Sequence, residues 1–359
     1  MRPVVTLSLS LLLAACSGDP APSACADCDD AGGTADATTA EDLGRDAPAP
    51  RDNAPLDAGP RDAGLADTGP RDTGPRDTGV DTGPAPSNAD PANRSQAEVC
   101  ARWGQDRGLR SGLPPWTPGG TACGLGTLPE VTRLAALRLT NTFRWLAGLN
   151  PVVETPSDVT PTQACALMME RNGALSHTPP TSWTCYSPEG AQGAGSSNIV
   201  GGRGFAISPW YSVQSWIDDS RDITMTLGHR RWMLYPPLSA ATYGQTSGFA
   251  CLWVLRRAGA TRNRPWVAWP NAGPVPLEAM TRIWSFSASG LGVSGANTVT
   301  VTQDATRLDV TAMQRQNGYG DDTISWQMPA IRAGSVYRVS IAGLRTGTVS
   351  YEVRPVACN

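Results

Sequence analysis

The run EVTRLAALRLTNTFRWLAG, from Glu130 to Gly148, decides how the rest of the chain is read. Val131, Ala135, Leu139, Thr142, Phe143 and Leu146 recur at helical spacing, which predicts an amphipathic helix with one buried face. Gly148 supplies its C-terminal stop. A single apolar stripe needs other elements to cover it, so the flanking sequence must supply them.

Downstream, Thr160-Pro161-Thr162-Gln163 predicts a second helix, with Thr160 as N-cap, Pro161 at the first helical position and Gln163 completing a capping box. Ala164, Leu167 and Met168 form its apolar stripe, and Gly173 ends it. The Pro/Ser/Gly-rich stretch from His177 to Gly204 reads as a loop. Ser208-Pro209 opens a third helix with Val213, Trp216 and Ile217 facing inward, and a helical stretch around Thr224–Leu234 stops at Pro236-Pro237. Phe249–Leu255 and Arg264–Trp269 read as apolar strands. After Pro274 the pattern changes to short alternating runs at Ile283–Phe286, Val299–Thr302, Leu308–Thr311, Ile324–Gln327, Val336–Ile341 and Val349–Val353, the pattern of an antiparallel sandwich. The fold class expected is therefore α+β, with a domain boundary near 273.

Upstream the composition changes. Residues 17–95 carry 16 acids against 6 arginines, a net of −10, whereas residues 96–359 carry 22 arginines against 16 acids, a net of +6. Every Trp, Tyr and Phe lies at or after Trp103. A segment without aromatics buries too little apolar surface to offset chain entropy, so 16–95 is expected to be a disordered Asp/Pro/Gly/Thr-rich tether. Its repeats, best seen in Gly69-Pro70-Arg71-Asp72-Thr73 and Gly74-Pro75-Arg76-Asp77-Thr78, suit a stiffened, charged spacer. Residues 1–15, with Arg2 before an apolar run too short to cross a bilayer, read as a secretory signal. Leu13-Ala14-Ala15-Cys16 resembles a bacterial lipobox, which implies a lipid on Cys16 and retention at the outer membrane or cell surface.

The other eight cysteines suit an oxidising compartment. Proximity suggests Cys100–Cys123, Cys165–Cys185 and Cys251–Cys358, with Cys25 and Cys28 pairing in the tether, out of 105 connectivities open to eight cysteines. Residues 96–128, stapled by the first pair, are expected to form an ordered lead-in without regular structure.

Lysine is absent, which excludes Schiff-base, pyridoxal-phosphate and phosphate-loop chemistry. Only His177 and His229 are available as imidazoles, which excludes a three-histidine zinc site. Arg230-Arg231, Arg256-Arg257 and Arg262-x-Arg264 suggest affinity for anionic polymers, without any nucleic-acid motif. Trp210, Trp216, Trp232 and Trp253 are expected in the core or in a cleft wall.

Several motifs occur in a specific order: Asn141-x-x-Arg144, Gly148-Leu149-x-Pro151, Gln163-Ala164-Cys165-Ala166, Gly173-x-Leu175-x-His177, Ser197-Asn198-Ile199, Trp216-x-x-Asp219 and Gly228-His229-Arg230-Arg231-Trp232-Met233-Leu234. Together, over about residues 130–270, they resemble the CAP superfamily of cysteine-rich secretory, antigen 5 and pathogenesis-related 1 proteins, in its bacterial form. The resemblance implies an α-β-α sandwich over 129–272, followed by the β-sandwich of 273–359. It implies a cleft of two histidines and two acids, matched here by His177, His229, Ser197 in place of one acid, and Asp219. Glu189 lies in the same loop as a substitute for the missing carboxylate.

Such a cleft implies binding of a lipid-like, glycan or protein ligand more than turnover, with no cofactor required. His177 and His229 with one carboxylate are also the donors for a divalent metal such as zinc. Two alternatives stand beside binding. One is a metal-assisted or serine-type hydrolase of envelope material using His177, His229 and Asp219, with Ser197 as the serine. The other is adhesion or scaffolding through the C-terminal sandwich.

Overall fold

A computed structural model describes residues 90–202, 204–220, 226–255, 259–313 and 318–358. The signal, the Cys16 lipid site, the Cys25–Cys28 pair, the repeats and Arg256-Arg257 lie outside the described residues. The described part begins within the stretch expected as tether. Pro91–Asn93 form a 3₁₀ turn capped by the Asp90 side chain, and Arg94 is buried.

The first correction follows at once. The lead-in expected to lack regular structure opens with helix α1 (Gln96–Arg107), capped by the Ser95 hydroxyl, which accepts from Glu98 N. Only Val99 and Trp103 form its apolar face, a stripe too short to stand out from the surrounding Gly and polar residues. Helix α2 (Glu130–Leu146) forms as its spacing predicts: Ala135, Leu139, Phe143 and Leu146 are buried, although Val131 is 44% exposed. Gly148 takes a left-handed φ of 74° beyond its end.

Helix α3 (Val159–Asn172) starts before the expected cap, so Thr160 and Pro161 lie inside its first turn. Gln163 serves the sheet instead of the helix end. Its amide donates to Gln245 O at 2.9 Å and accepts from Gln245 N at 3.1 Å. Gly173, with φ 59°, ends the helix as expected.

The stretch expected as a loop from 177 to 204 contains helix α4 (Pro188–Ser196) and strand β1 (Ser197–Gly201). Glycine concealed that helix. A Cβ at Gly193 would overlap the Pro161 carbonyl, so the small residue is what lets α4 lie against α3. Helix α5 (Pro209–Asp218) has the expected Ser208 cap, and Val213, Trp216 and Ile217 are at most 1% exposed. Helix α6 (Gly228–Met233) and strands β2 (Thr242–Gln245) and β3 (Phe249–Trp253) complete this part.

The three strands form an antiparallel sheet in the order β1-β3-β2. The two-residue alternation of β3 divides its side chains between two apolar clusters. Ala250 and Leu252 join Tyr243, Phe143, Val213 and Trp216 from β2, α2 and α5. Cys251 joins Ile199, Met168, Met169 and Ala194 from β1, α3 and α4. Helices thus cover both faces of the sheet.

The remaining strands are β4 (Trp266–Trp269), β5 (Gly273–Pro276), β6 (Ile283–Ala288), β7 (Thr298–Gln303), β8 (Thr306–Arg307), β9 (Thr311–Ala312), β10 (Asp322–Gln327), β11 (Tyr337–Leu344) and β12 (Gly347–Val356). They form two sheets, β4-β6-β10-β9 and β5-β12-β11-β7-β8. Trp284, Phe286 and Trp326 of the first pack with Val301, Tyr337, Val339 and Val353 of the second in one core. One pairing, β5 with β12, is parallel, so the expected antiparallel sandwich is mixed at that edge. The strand expected over Leu308–Thr311 does not form. There the chain passes from β8 in one sheet to β9 in the other.

The two parts share packing across the expected boundary. Strand β4 precedes the boundary expected near 273 and yet pairs with β6. Val267, Trp269, Ala279 and Val356 belong to the core of α2 and α5, and the Trp269 ring meets Phe143 edge-on at 5.4 Å.

The disulfides correct all three expected pairings. Cys100 joins Cys358, Cys123 joins Cys185, and Cys165 joins Cys251. Proximity in sequence failed because tertiary packing chose the partners: α1 meets the end of β12, and α3 lies on β3. Closing such long loops constrains the unfolded chain strongly.

Arg144 is buried to 0% exposure and donates to four carbonyls, those of Asn150, Met233, Tyr235 and Leu238, at 2.7–3.1 Å. Burial pulls its pKa down to about 9, which still leaves it protonated at neutral pH. Two outcomes follow. Peptide mapping without reduction recovers the 100–358, 123–185 and 165–251 links, and a 100–123 link would contradict the fold. Arg144→Met removes the guanidinium bonds to four carbonyls, of which that of Tyr235 keeps the Leu238 N–H, and lowers unfolding stability by on the order of 3 kcal/mol, measured by urea titration.

Candidate functional site

Asp219 follows α5 in a left-handed conformation, φ 50°, which Asp tolerates better than most residues. The turn directs its carboxylate at the start of α6. Oδ2 accepts the backbone N–H of His229 at 3.0 Å and of Arg230 at 3.3 Å, two groups that lack partners within a helix's first turn. Oδ1 accepts Nδ1–H of His229 at 2.7 Å. The side chain of Asp219 is 2% exposed and that of His229 is 27% exposed. A carboxylate acceptor makes Nδ1 the protonated nitrogen, so the lone pair of neutral His229 lies on Nε2.

His177 is arranged in a parallel way. It is exposed, and its Nδ1 lies 3.0 Å from the carbonyl of Ala194 on α4. A carbonyl only accepts, so this nitrogen also carries the proton and Nε2 is left open. Asn198, on β1, donates to the His229 carbonyl at 3.0 Å. The α4–β1 segment therefore contacts both histidines, one through Ala194 and the other through Asn198.

Ser197 starts β1 opposite Trp253. Its hydroxyl is buried and has no hydrogen-bond partner among the described residues. Glu189 is exposed in the first turn of α4, and no hydrogen bond joins it to either histidine among the described residues. The structure thus unites Asp219 and His229 directly, connects His177 and His229 through α4–β1, and leaves Ser197 bonded to neither imidazole.

Both oxygens of the Asp219 carboxylate are used to orient neighbouring groups, through three accepted hydrogen bonds. Among the described residues no three His, Cys, Asp or Glu side chains gather as donors for a metal ion.

Reading residues by type missed Arg230, the neighbour of His229. Expected as part of a basic surface, it is 1% exposed. It donates to the carbonyls of Ile217 and Asp218 at the end of α5, to Ile283 O and Ser285 Oγ of β6, and to Thr281 Oγ1. Burial lowers its pKa to about 10, against the opposing pull of Asp219 and Asp218. Arg231 is buried too and donates to Asp321 O. Arg262 holds the Asp321 carboxylate through two 2.7 Å bonds, and Arg264 donates to Gly148 O. These arginines secure loops through their hydrogen bonds, and Arg256 and Arg257 lie outside the described residues. None of the 12 tryptophans is exposed, so the core and cleft-wall reading of Trp210, Trp216, Trp232 and Trp253 agrees with the structure.

No family model and no curated protein sequence matches the chain.

Nitrogen-15 NMR of the imidazoles checks this geometry. Both histidines, when neutral, are expected as the Nδ1–H tautomer, and Asp219→Ala is expected to release His229 into a tautomer mixture while His177 is unchanged. A dominant Nε2–H form of His229 in the unmodified protein would contradict the Asp219 contact.

Proposed function

We propose that this chain is an exported, envelope-anchored binding protein of the CAP type, taking its ligand at the open edge of His229. Helices on both faces of a three-stranded antiparallel sheet support the α-β-α reading. The three disulfides point to an oxidising, extracytoplasmic environment. No helix among the described residues is long and apolar enough to cross a membrane. The proposed attachment is a lipid on Cys16, on the strength of Leu13-Ala14-Ala15-Cys16, placing the protein at the outer membrane or cell surface.

One observation carries binding over catalysis. Both oxygens of Asp219 are engaged in orienting His229 and capping α6, while the Ser197 hydroxyl is buried and bonded to no base. A nucleophile needs a base within hydrogen-bond reach. What the site offers instead is an imidazole edge held in one orientation, suited to a polar group on a lipid-like, glycan or envelope-protein ligand.

Native mass spectrometry of protein recovered from the exporting cell tests the reading. The expected result is a non-covalent adduct that His229→Ala reduces strongly and Ser197→Ala retains. A hydrolytic activity on envelope material that Ser197→Ala abolishes would replace binding with the hydrolase alternative. The anchor is tested separately: Cys16→Ser is expected to move the protein from the membrane fraction to the soluble fraction, and unchanged partitioning would remove the lipid from the account.

A further inference from the structure

A second concave site lies away from His229, between the start of α1 and the end of β12. It encloses about 360 Å³, within the range of small-molecule pockets. Arg94, Ser95, Gln96, Ser335, Arg354 and Pro355 border it, and no Asp or Glu among the described residues does.

Three sets of donors converge there. Arg94 is only 5% exposed, stacks on the Trp145 ring at 3.9 Å and donates to Trp145 O through Nη1. Its Nε is buried without a partner among the described residues. Arg354 donates one bond to Ala92 O, at 3.0 Å, which leaves most of its fork unused. The third set is the N-terminus of the 12-residue helix α1. Ser95 caps Glu98 N, while the N–H groups of Gln96 and Ala97 have no hydrogen-bond partner among the described residues.

Two guanidinium groups with no carboxylate on the cavity wall make a local positive field, which Glu98 and Asp90 near Arg94 offset in part. A buried arginine with an unmet N–H is costly unless an acceptor arrives. Burial lowers the pKa of Arg94 to about 10, so it is still protonated at neutral pH, and an anion in the cavity would offset part of its lost hydration. Helix N-termini and arginine forks are both suited to planar or tetrahedral oxyanions.

We propose that this cavity binds the oxyanion group of a small molecule, a phosphate or a carboxylate, held by Arg94, Arg354 and the first turn of α1. This site is independent of the His229 reading, and neither depends on the other.

Isothermal titration calorimetry of the full chain at low ionic strength tests it, with inorganic phosphate in one arm and citrate in the other. Saturable one-to-one binding in either arm is expected, and the arm that saturates identifies the group. Arg354→Gln is expected to weaken binding by about tenfold or more, with the thermal melt unchanged. Ser335→Asp places a negative charge at the cavity wall and is expected to abolish binding, which keeps the test decisive if Arg354→Gln folds poorly. No saturation in either arm, or binding that Ser335→Asp leaves within about twofold, overturns the proposal.

Discussion

The structure depends on a charge taken out of water between its two parts. The Arg230 guanidinium reaches the last carbonyls of α5 on one side and β6 on the other. Leaving a guanidinium unsatisfied there would be costly, but five acceptors surround it, so the packing of α5, α6 and β6 is specified together. A cation at the C-terminus of α5 also complements the helix dipole. Arg144 does the same within the first part, tying α2 to the turns after α6. Both side chains carry positive charge that the fold uses internally, although Arg230 reads in the sequence as surface basicity.

That arrangement explains how the candidate site is held. His229 and Arg230 are adjacent on α6, and both backbone N–H groups end on Asp219. The carboxylate that aims the imidazole also starts the helix that positions Arg230. Orientation of His229 is thus coupled to the contact between the parts, and a change at β6 can reach the imidazole through one residue. The same arrangement limits the chemistry, because both Asp219 oxygens are bonded to the helix or the ring and the side chain is only 2% exposed.

Much of the fold was legible wherever spacing alone determined burial. The stripe of α2, the Ser208-Pro209 start of α5 and the alternation of β6, β7, β10, β11 and β12 are read correctly from side-chain pattern. Helix α1 escapes because its apolar stripe is short, and the other failures share a cause: the deciding partner is distant in sequence. Helix α4 reads as a loop because Gly190 and Gly193 serve contact with α3. The Gln163 amide looks like a capping group and instead grips β2. The cysteine partners depend on where α1 and β12 meet. At the site, the count of two histidines led to both, and motif order led to Asp219. Its role as an orienting group, and the burial of Ser197 away from both imidazoles, needed coordinates.

Bonded by Arg230 at both α5 and β6, the helical part and the β-sandwich are expected to unfold as one cooperative structure. Hydrogen exchange measured by mass spectrometry through a urea series tests it most directly, following peptides from α5–α6 and from β6–β10 in the same samples. Both sets are expected to lose protection in a single transition with one midpoint. Two separated midpoints, with the sandwich peptides remaining protected after α5 and α6 have opened, would contradict it.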